Sequence, residues 1–151
     1  MIKIAKASRR EFLIKSGALI GTGMILNPLS AFSNSQKKSW TVGEIMDMFI
    51  DQVPNGPFAQ TVDTIKIGSR DTVVTGVVTT MFTTMEIIQK AIELKANLII
   101  PHEPTFFSGQ DETDYLQNDP VFRAKYDLMA KHNITLWRNH DYVHRMQDDG
   151  V

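Results

Sequence analysis

The sequence predicts an α/β fold, with a mostly parallel sheet that carries helices on both faces. Short β-branched or apolar runs at 73–78, 97–100 and 134–137 alternate with two amphipathic segments of helical spacing. Such β-α-β units place consecutive strands parallel to each other, with a crossover helix between them. A chain of 151 residues, less a leader, has the size of one domain.

The first helix is predicted from the capping box Thr41-Val42-Gly43-Glu44. Apolar side chains follow at helical spacing, so we expect a helix of about 11 residues. Two prolines and a glycine within 53–57 cannot continue it. The partly alternating run 61–67 is predicted as a strand, with Asp63 at an exposed position. The weaker alternative is that Asp63 supports a metal ligand without binding the ion itself.

Two further helices supply the crossovers. Thr83-Thr84-Met85-Glu86 has the pattern of a second capping box, ahead of apolar residues at helical spacing. Asp119 caps a third helix with Pro120 at its first position, and Asn133 closes that helix. Its inner face is predicted to hold Val121, Phe122, Leu128 and Met129.

Residues 1–33 have the pattern of a twin-arginine export signal. Arg9-Arg10 precede Phe12-Leu13, a weakly hydrophobic segment at 17–26 and the small-residue cleavage site 31–33. The apolar run is too short to span a bilayer comfortably, so a membrane anchor is a weaker alternative. A short N-terminal helix with adjacent arginines is the other weaker alternative. The signal predicts a periplasmic or other extracytoplasmic protein that uses the twin-arginine translocase.

The organisation that follows is a signal peptide at 1–33, a linker at 34–39 and an α/β domain at 40–151. The leader holds five Lys or Arg and one acid, which leaves a net charge of −5 on the rest of the chain. A chain with that charge has no basic surface to bind nucleic acid through its phosphates. The chain has no cysteine, so any metal must be bound by His, Asp or Glu.

Two loops carry side chains of these types. His102 and Glu103 lie between two prolines, directly after the apolar run 97–100, and the segment 138–144 follows the run 134–137. Parallel strand ends meet at one edge of a sheet, and adjacent strands lie about 4.8 Å apart. The two loops are therefore predicted to share a metal site, with candidate ligands His102, Glu103, His140, Asp141 and His144.

Imidazole and carboxylate donors suit zinc, manganese or iron. Such an ion lowers the pKa of its water, and Glu103 is the candidate general base. The structural alternatives are a His102 bonded to backbone, a solvated Glu103 and a chance His-Asp-x-x-His segment. His132 is expected to cap a helix end rather than bind metal. Phe106, Phe107 and Trp137 are expected in the core or in a pocket wall.

Other catalytic classes lack their sequence patterns. No serine or threonine has a histidine and an acid arranged as a triad, and no GxxxxGK[ST] or GxGxxG motif occurs. Acyl-enzyme chemistry and these nucleotide-binding motifs are therefore not expected.

The strand 77–80, the helix through 87–92 and the segment 95–104 together resemble the Nif-three-like family, also labelled GTP cyclohydrolase I type two. The hallmark of that family is an apolar strand that ends in His-His-Pro, followed later by a strand that ends in a histidine and an aspartate. The resemblance covers residues 40–151. It implies an α/β fold, a toroidal hexamer and two metal ions held between strand-end loops.

The resemblance also implies roles for individual residues. His102 matches the first histidine of the hallmark, and Glu103 stands where the second would be. His140 matches the later histidine. His144 falls where the bridging aspartate of the family would stand, and Asp141 is the candidate to replace that aspartate. An altered ligand set of this kind leaves the metal and the number of ions open.

Family members are about twice as long, and their remaining metal ligands, a histidine and a glutamate, lie near the far C-terminus. The chain is therefore expected to be a fragment or truncated product, or to have its site completed by another subunit of a homo-oligomer. The resemblance implies a metal-dependent hydrolase with an unknown small-molecule substrate. The alternative is a non-catalytic metal-binding or assembly module that uses the same loops.

Overall fold

The computed structural model describes residues 38–146. The described part begins with α1 (Val42–Ile50), β1 (Ile65–Ile67) and β2 (Val77–Thr80), and continues with α2 (Met85–Glu93), β3 (Leu98–Pro101), α3 (Pro120–Lys131) and β4 (Thr135–Trp137). Short 3-10 turns occur at Asp114–Leu116 and Val143–Arg145. The predicted export signal and residues 34–37 of the predicted linker lie outside these residues. No helix in 38–146 is long and apolar enough to cross a membrane.

The four strands of the described part form one sheet in the order β1-β4-β3-β2. β2 and β3 pair in parallel, and so do β3 and β4. β1 pairs antiparallel with β4 at the edge of the sheet. The predicted α/β fold with a largely parallel sheet is confirmed, with one antiparallel edge strand, an arrangement common in such sheets.

The helices cover both faces of the sheet. Ile99 and Leu136 face one apolar cluster, which includes Ile88 and Ala91 of α2 and Met129 of α3. Residues on the opposite face of the same strands pack with α1, namely Leu98, Ile100 and Trp137 with Val42 and Met46. β3 is buried along its whole length. Because it is covered on both sides, its sequence is an unbroken apolar run.

Two of the predicted strands are shorter than expected or displaced. Only the last three residues of the run 61–67 form β1. In the run 73–78, Val73 makes a single antiparallel bridge to Thr41, and the strand itself is Val77–Thr80. Backbone pairing with distant segments decides these bounds, whereas the local pattern indicates only extended chain.

The first capping box is confirmed. The Thr41 amide donates to Glu44 Oε2 at 2.9 Å and the Glu44 amide donates to the Thr41 hydroxyl at 3.2 Å. The helix that follows has nine residues, close to the predicted length.

The second predicted capping box is wrong by one residue. Thr84 caps α2, and its hydroxyl accepts from the Ile87 amide at 3.3 Å, so Glu86 is not in the third helical position that the box needs. Thr83 is buried instead, and its hydroxyl accepts a hydrogen bond from that of Thr105 at 3.1 Å. A tertiary contact has therefore selected one of two adjacent threonines as the cap.

The cap of α3 is confirmed, since Asp119 accepts from the amides of Val121 and Phe122 at 2.9 and 2.8 Å. Phe122 and Met129 are buried as predicted, but Val121 is 67% exposed, so its place on the inner face was wrong. Asn133 has a φ of 51°, the left-handed conformation common at helix C-termini.

Candidate metal centre

The two predicted loops lie side by side, because each follows one of two paired parallel strands. β3 ends at Pro101 and β4 ends at Trp137. Backbone contacts continue past these ends, since the Asn139 amide donates to the Pro101 carbonyl at 3.0 Å and the His102 amide donates to the Thr80 carbonyl at 3.0 Å. The residues after both strands are thus held at the same edge of the sheet.

Three histidines meet at this edge. The ring centroids of His102 and His140 are 4.7 Å apart, those of His102 and His144 are 4.9 Å apart, and those of His140 and His144 are 4.8 Å apart. One ring nitrogen from each lies within 4.8 Å of the other two. His102 and His140 are half-buried and His144 is exposed. We refer to these residues as the histidine triad.

The donor set fits a divalent transition ion. A tetrahedral ion with bonds of about 2.1 Å to nitrogen places its ligand atoms about 3.4 Å apart. The separations in the triad have an upper bound of 4.8 Å, so small side-chain rotations would bring the nitrogens to that spacing. Three neutral imidazoles suit zinc, copper, iron or nickel better than magnesium or calcium, which prefer oxygen.

The loop that carries His140 is fixed by the buried carboxylate of Asp63. Asp63 is only 4% exposed. Its Oδ1 accepts from the His140 amide at 2.7 Å, and its Oδ2 accepts from the Tyr142 amide at 2.7 Å. The expectation of an exposed strand position for Asp63 was wrong, because the residue precedes β1 and turns inward to bind this loop.

Asp141 contacts the triad through a hydrogen bond. Its Oδ1 lies 3.0 Å from His140 Nδ1, and its Oδ2 accepts from the Thr61 hydroxyl at 2.8 Å and from the Val62 amide at 3.1 Å. A carboxylate at Nδ1 favours the tautomer that leaves Nε2 free to bind a metal. Burial raises the pKa of Asp141, but the hydrogen bonds from His140, Thr61 and Val62 outweigh it, so the pKa lies below its ordinary value.

The loop after β3 is held by a buried arginine. Arg138 Nε donates to the His102 carbonyl at 3.2 Å and Nη1 donates to the Gly109 carbonyl at 2.6 Å. Arg138 is 3% exposed, so its guanidinium serves the backbone of this loop and does not face solvent. It connects the two loops of the site directly.

The remaining candidates are not members of the triad. Within residues 38–146, no aspartate or glutamate joins the three histidines in a group with metal-ligand spacing. Glu103 follows His102 and is half-buried, and its amide donates to the Met81 carbonyl at 2.9 Å. His132 is exposed at the C-terminal cap of α3, and it precedes β4, whereas the triad follows the strands. Trp137 is fully buried, while Phe107 is largely exposed.

An open cleft of about 530 Å³ adjoins the triad. Its walls come from the segment 55–60, which follows α1, and from the β4 loop, and they are formed by Asn55, Pro57, Phe58, Ala59, Gln60, His140, Asp141, His144 and Arg145. This volume is in the usual range for sites that bind small molecules. A ligand in the cleft would therefore contact two members of the triad.

These features define an α/β protein with a histidine cluster at the carboxyl edge of a parallel sheet. The chain belongs to the Duf34/NIF3 (NGG1p interacting factor 3) family, whose model matches residues 41–145. The resemblance noted from the sequence is thereby confirmed. No curated protein matches the chain.

Solved structures share the fold. Protein SA1388 of Staphylococcus aureus is 29% identical with a TM-score of 0.56, over 70% of this chain and 29% of that one. The Bacillus cereus protein related to NIF3 is 26% identical with a TM-score of 0.58, over 70% and 29%. Reduced HcgD from Methanocaldococcus jannaschii is 14% identical with a TM-score of 0.58, over 70% and 42%, and shows the fold alone. The chain thus matches less than half the length of each.

Proposed function

We propose that the protein is a metal-dependent hydrolase that binds a divalent ion through His102, His140 and His144. The observation that carries this proposal is the convergence of three imidazoles from two strand-end loops, with one nitrogen of each within 4.8 Å of the others. Family membership supports it, because the match of residues 41–145 includes both loops.

A divalent ion in this position supplies Lewis acidity and lowers the pKa of a water molecule. The protein's own groups hold and orient the ligands. Asp141 fixes the tautomer of His140, and Asp63 fixes the backbone that carries it. The ion is proposed to be zinc, manganese or iron, of which zinc and iron suit three imidazoles best.

Glu103 is the proposed general base. It follows His102 directly in the sequence, and its carboxylate forms no ion pair within residues 38–146. A half-buried carboxylate without an ion-pair partner is available to accept a proton from an attacking water. Its role does not require it to be a metal ligand.

Catalysis and simple metal storage differ in one structural respect. A catalytic ion keeps a coordination position for water or substrate, whereas a structural ion is enclosed by protein ligands. The cleft beside His140 and His144 is open and large enough for a small molecule, which favours the catalytic interpretation. A non-catalytic metal-binding module is the alternative outcome of the test.

The test is hydrolysis by the metal-loaded protein of a panel of ester, amide and phosphoester substrates. We expect activity that Glu103→Gln reduces by at least roughly a hundredfold while the metal content stays at the wild-type level. Glu112→Gln, at an exposed position, is the matched control and should leave both unchanged. Bound metal without activity on any substrate would favour the non-catalytic module.

We propose also that the protein is exported and forms a homo-oligomer. The arginine pair at Arg9-Arg10 supports export, and the resemblance to the family supports assembly. Size-exclusion chromatography with light scattering tests assembly, and a monomer at every concentration would contradict it.

A further inference from the structure

The cleft beside the histidine triad contains one exposed cationic side chain, Arg145. It lies next to His144 in the sequence and lines the same cleft. Its guanidinium carbon is 5.6 Å from the centroid of the Phe58 ring, a cation–π distance. Its backbone is fixed in the turn after β4, where its amide donates to the Tyr142 carbonyl at 3.1 Å.

The ring under Arg145 is itself anchored to the metal-site loop. Phe58 stacks on Tyr142 with centroids 5.1 Å apart and planes at 14°, and its amide donates to the Tyr142 hydroxyl at 3.4 Å. Tyr142 in turn is held by Asp63. The guanidinium therefore lies over a fixed aromatic surface rather than at the end of an unsupported side chain.

Arg145 and Asp141 are the charged residues of the cleft wall, and their charged atoms differ in how far they are already engaged. Arg145 forms no ion pair with any residue of the described range 38–146. The acidic residue of the wall, Asp141, has both oxygens engaged by His140, Thr61 and Val62. The other wall residues apart from the histidines are apolar or neutral. A bound divalent ion would add positive charge to the cleft.

We propose that the cleft binds a small organic oxyanion, a phosphate ester or a carboxylate, whose anionic group pairs with Arg145 beside the triad. The proposal rests on the proposed function, since the group to be hydrolysed would face the ion at His140 and His144. The planar guanidinium matches the geometry of both oxyanions through paired N–H donors. Pro57, Phe58 and Ala59 then contact the organic part of the ligand.

The test titrates zinc-loaded protein with inorganic phosphate and, separately, with acetate in a calorimeter. We expect wild type to bind at least one of the two anions, and Arg145→Gln to weaken that binding roughly tenfold or more. Arg145→Lys keeps the charge but loses the paired donors, so it should give an intermediate loss. Arg123→Gln removes an exposed arginine that pairs with Asp127 on α3, and it should bind as wild type does.

The anion whose binding is weakened more by Arg145→Gln shows whether the ligand carries a phosphate or a carboxylate. Equal affinities in Arg145→Gln and Arg123→Gln would overturn the proposal, as would the absence of binding of both anions to wild type. Zinc content is measured on the same samples and should be equal in all of them. If wild type binds none of zinc, manganese and iron, the proposed function fails, whereas Arg145-dependent phosphate binding by the metal-free protein would still support the oxyanion site.

Discussion

Asp63 Oδ1 accepts a hydrogen bond from the backbone amide of His140 at 2.7 Å, across 77 residues of chain. The other oxygen of the same carboxylate accepts from the Tyr142 amide. One buried side chain therefore satisfies two amides of the loop that carries two of the three triad histidines. The geometry of the proposed metal site depends on a residue that is not a candidate ligand.

Asp63→Asn tests this dependence. The amide retains one acceptor oxygen, so one of the two loop amides loses its partner inside a buried site. We expect the free energy of unfolding to fall by roughly 1–3 kcal/mol, measured by urea denaturation. Asp71→Asn makes the same change at an exposed position and should have little effect. Equal stabilities of the two variants would show that the carboxylate does not hold the loop.

Asp141→Asn tests the orientation of His140. A carboxylate that accepts from the ring raises the basicity of the histidine as a ligand, and its loss costs roughly 10–100-fold in metal affinity in comparable sites. We expect a loss in that range for zinc, measured by competition with a chromophoric chelator. Asp127→Asn, on the exposed surface of α3, is the control. Unchanged zinc affinity in Asp141→Asn would exclude the proposed orientation.

Gly68→Ala tests the pairing of β1 with β4. Gly68 has a φ of 89°, and an added Cβ would lie 2.8 Å from the Thr135 Cα in β4. We expect a loss of about 2 kcal/mol or more in the free energy of unfolding, from a strained backbone and a clash with backbone atoms. Gly109→Ala is the matched control, because its added Cβ would have no atom within 4 Å apart from those of residue 109 and its two chain neighbours. Equal stabilities of the two variants would contradict the described pairing.

Replacing Arg9 and Arg10 together by Lys tests export. The twin-arginine pathway recognises the guanidinium pair, so we expect the variant to remain in the cytoplasm, as measured by fractionation and immunoblotting. Lys3→Arg with Lys6→Arg leaves the pair intact and should be exported as wild type is. Delivery of the lysine variant across the membrane at the wild-type level would remove the twin-arginine interpretation.

The shared edge of the sheet could be predicted because short-range patterns contain the necessary information. The unbroken apolar run Leu98–Ile100 indicates a strand covered on both faces, and the helix between β3 and β4 makes the two strands parallel. Parallel neighbours bring their carboxyl ends together, so the convergence of His102 with the later loop follows from topology.

The partners of Asp63 and Arg138 could not be predicted, because they are distant in the sequence. A carboxylate in the run 61–67 looks like a solvent-facing strand residue until the amides of His140 and Tyr142 lie against it. Arg138 likewise bonds to carbonyls at His102 and Gly109, which no local pattern connects. The choice of Thr84 over Thr83 as a helix cap depends on a contact with Thr105 in the same way.

The proposed function requires that His102, His140 and His144 together bind one metal ion. The most direct test is elemental analysis after dialysis against metal-free buffer. It compares wild type, His102→Ala, His144→Ala, the double variant and His132→Ala. We predict a loss of at least roughly tenfold in metal affinity for each single triad variant, seen as reduced content, and a double-variant effect smaller than the sum. His132→Ala, at the exposed cap of α3, should load as wild type does. Wild-type loading in either single triad variant, or an equal loss in His132→Ala, would show that the histidines do not form a common site.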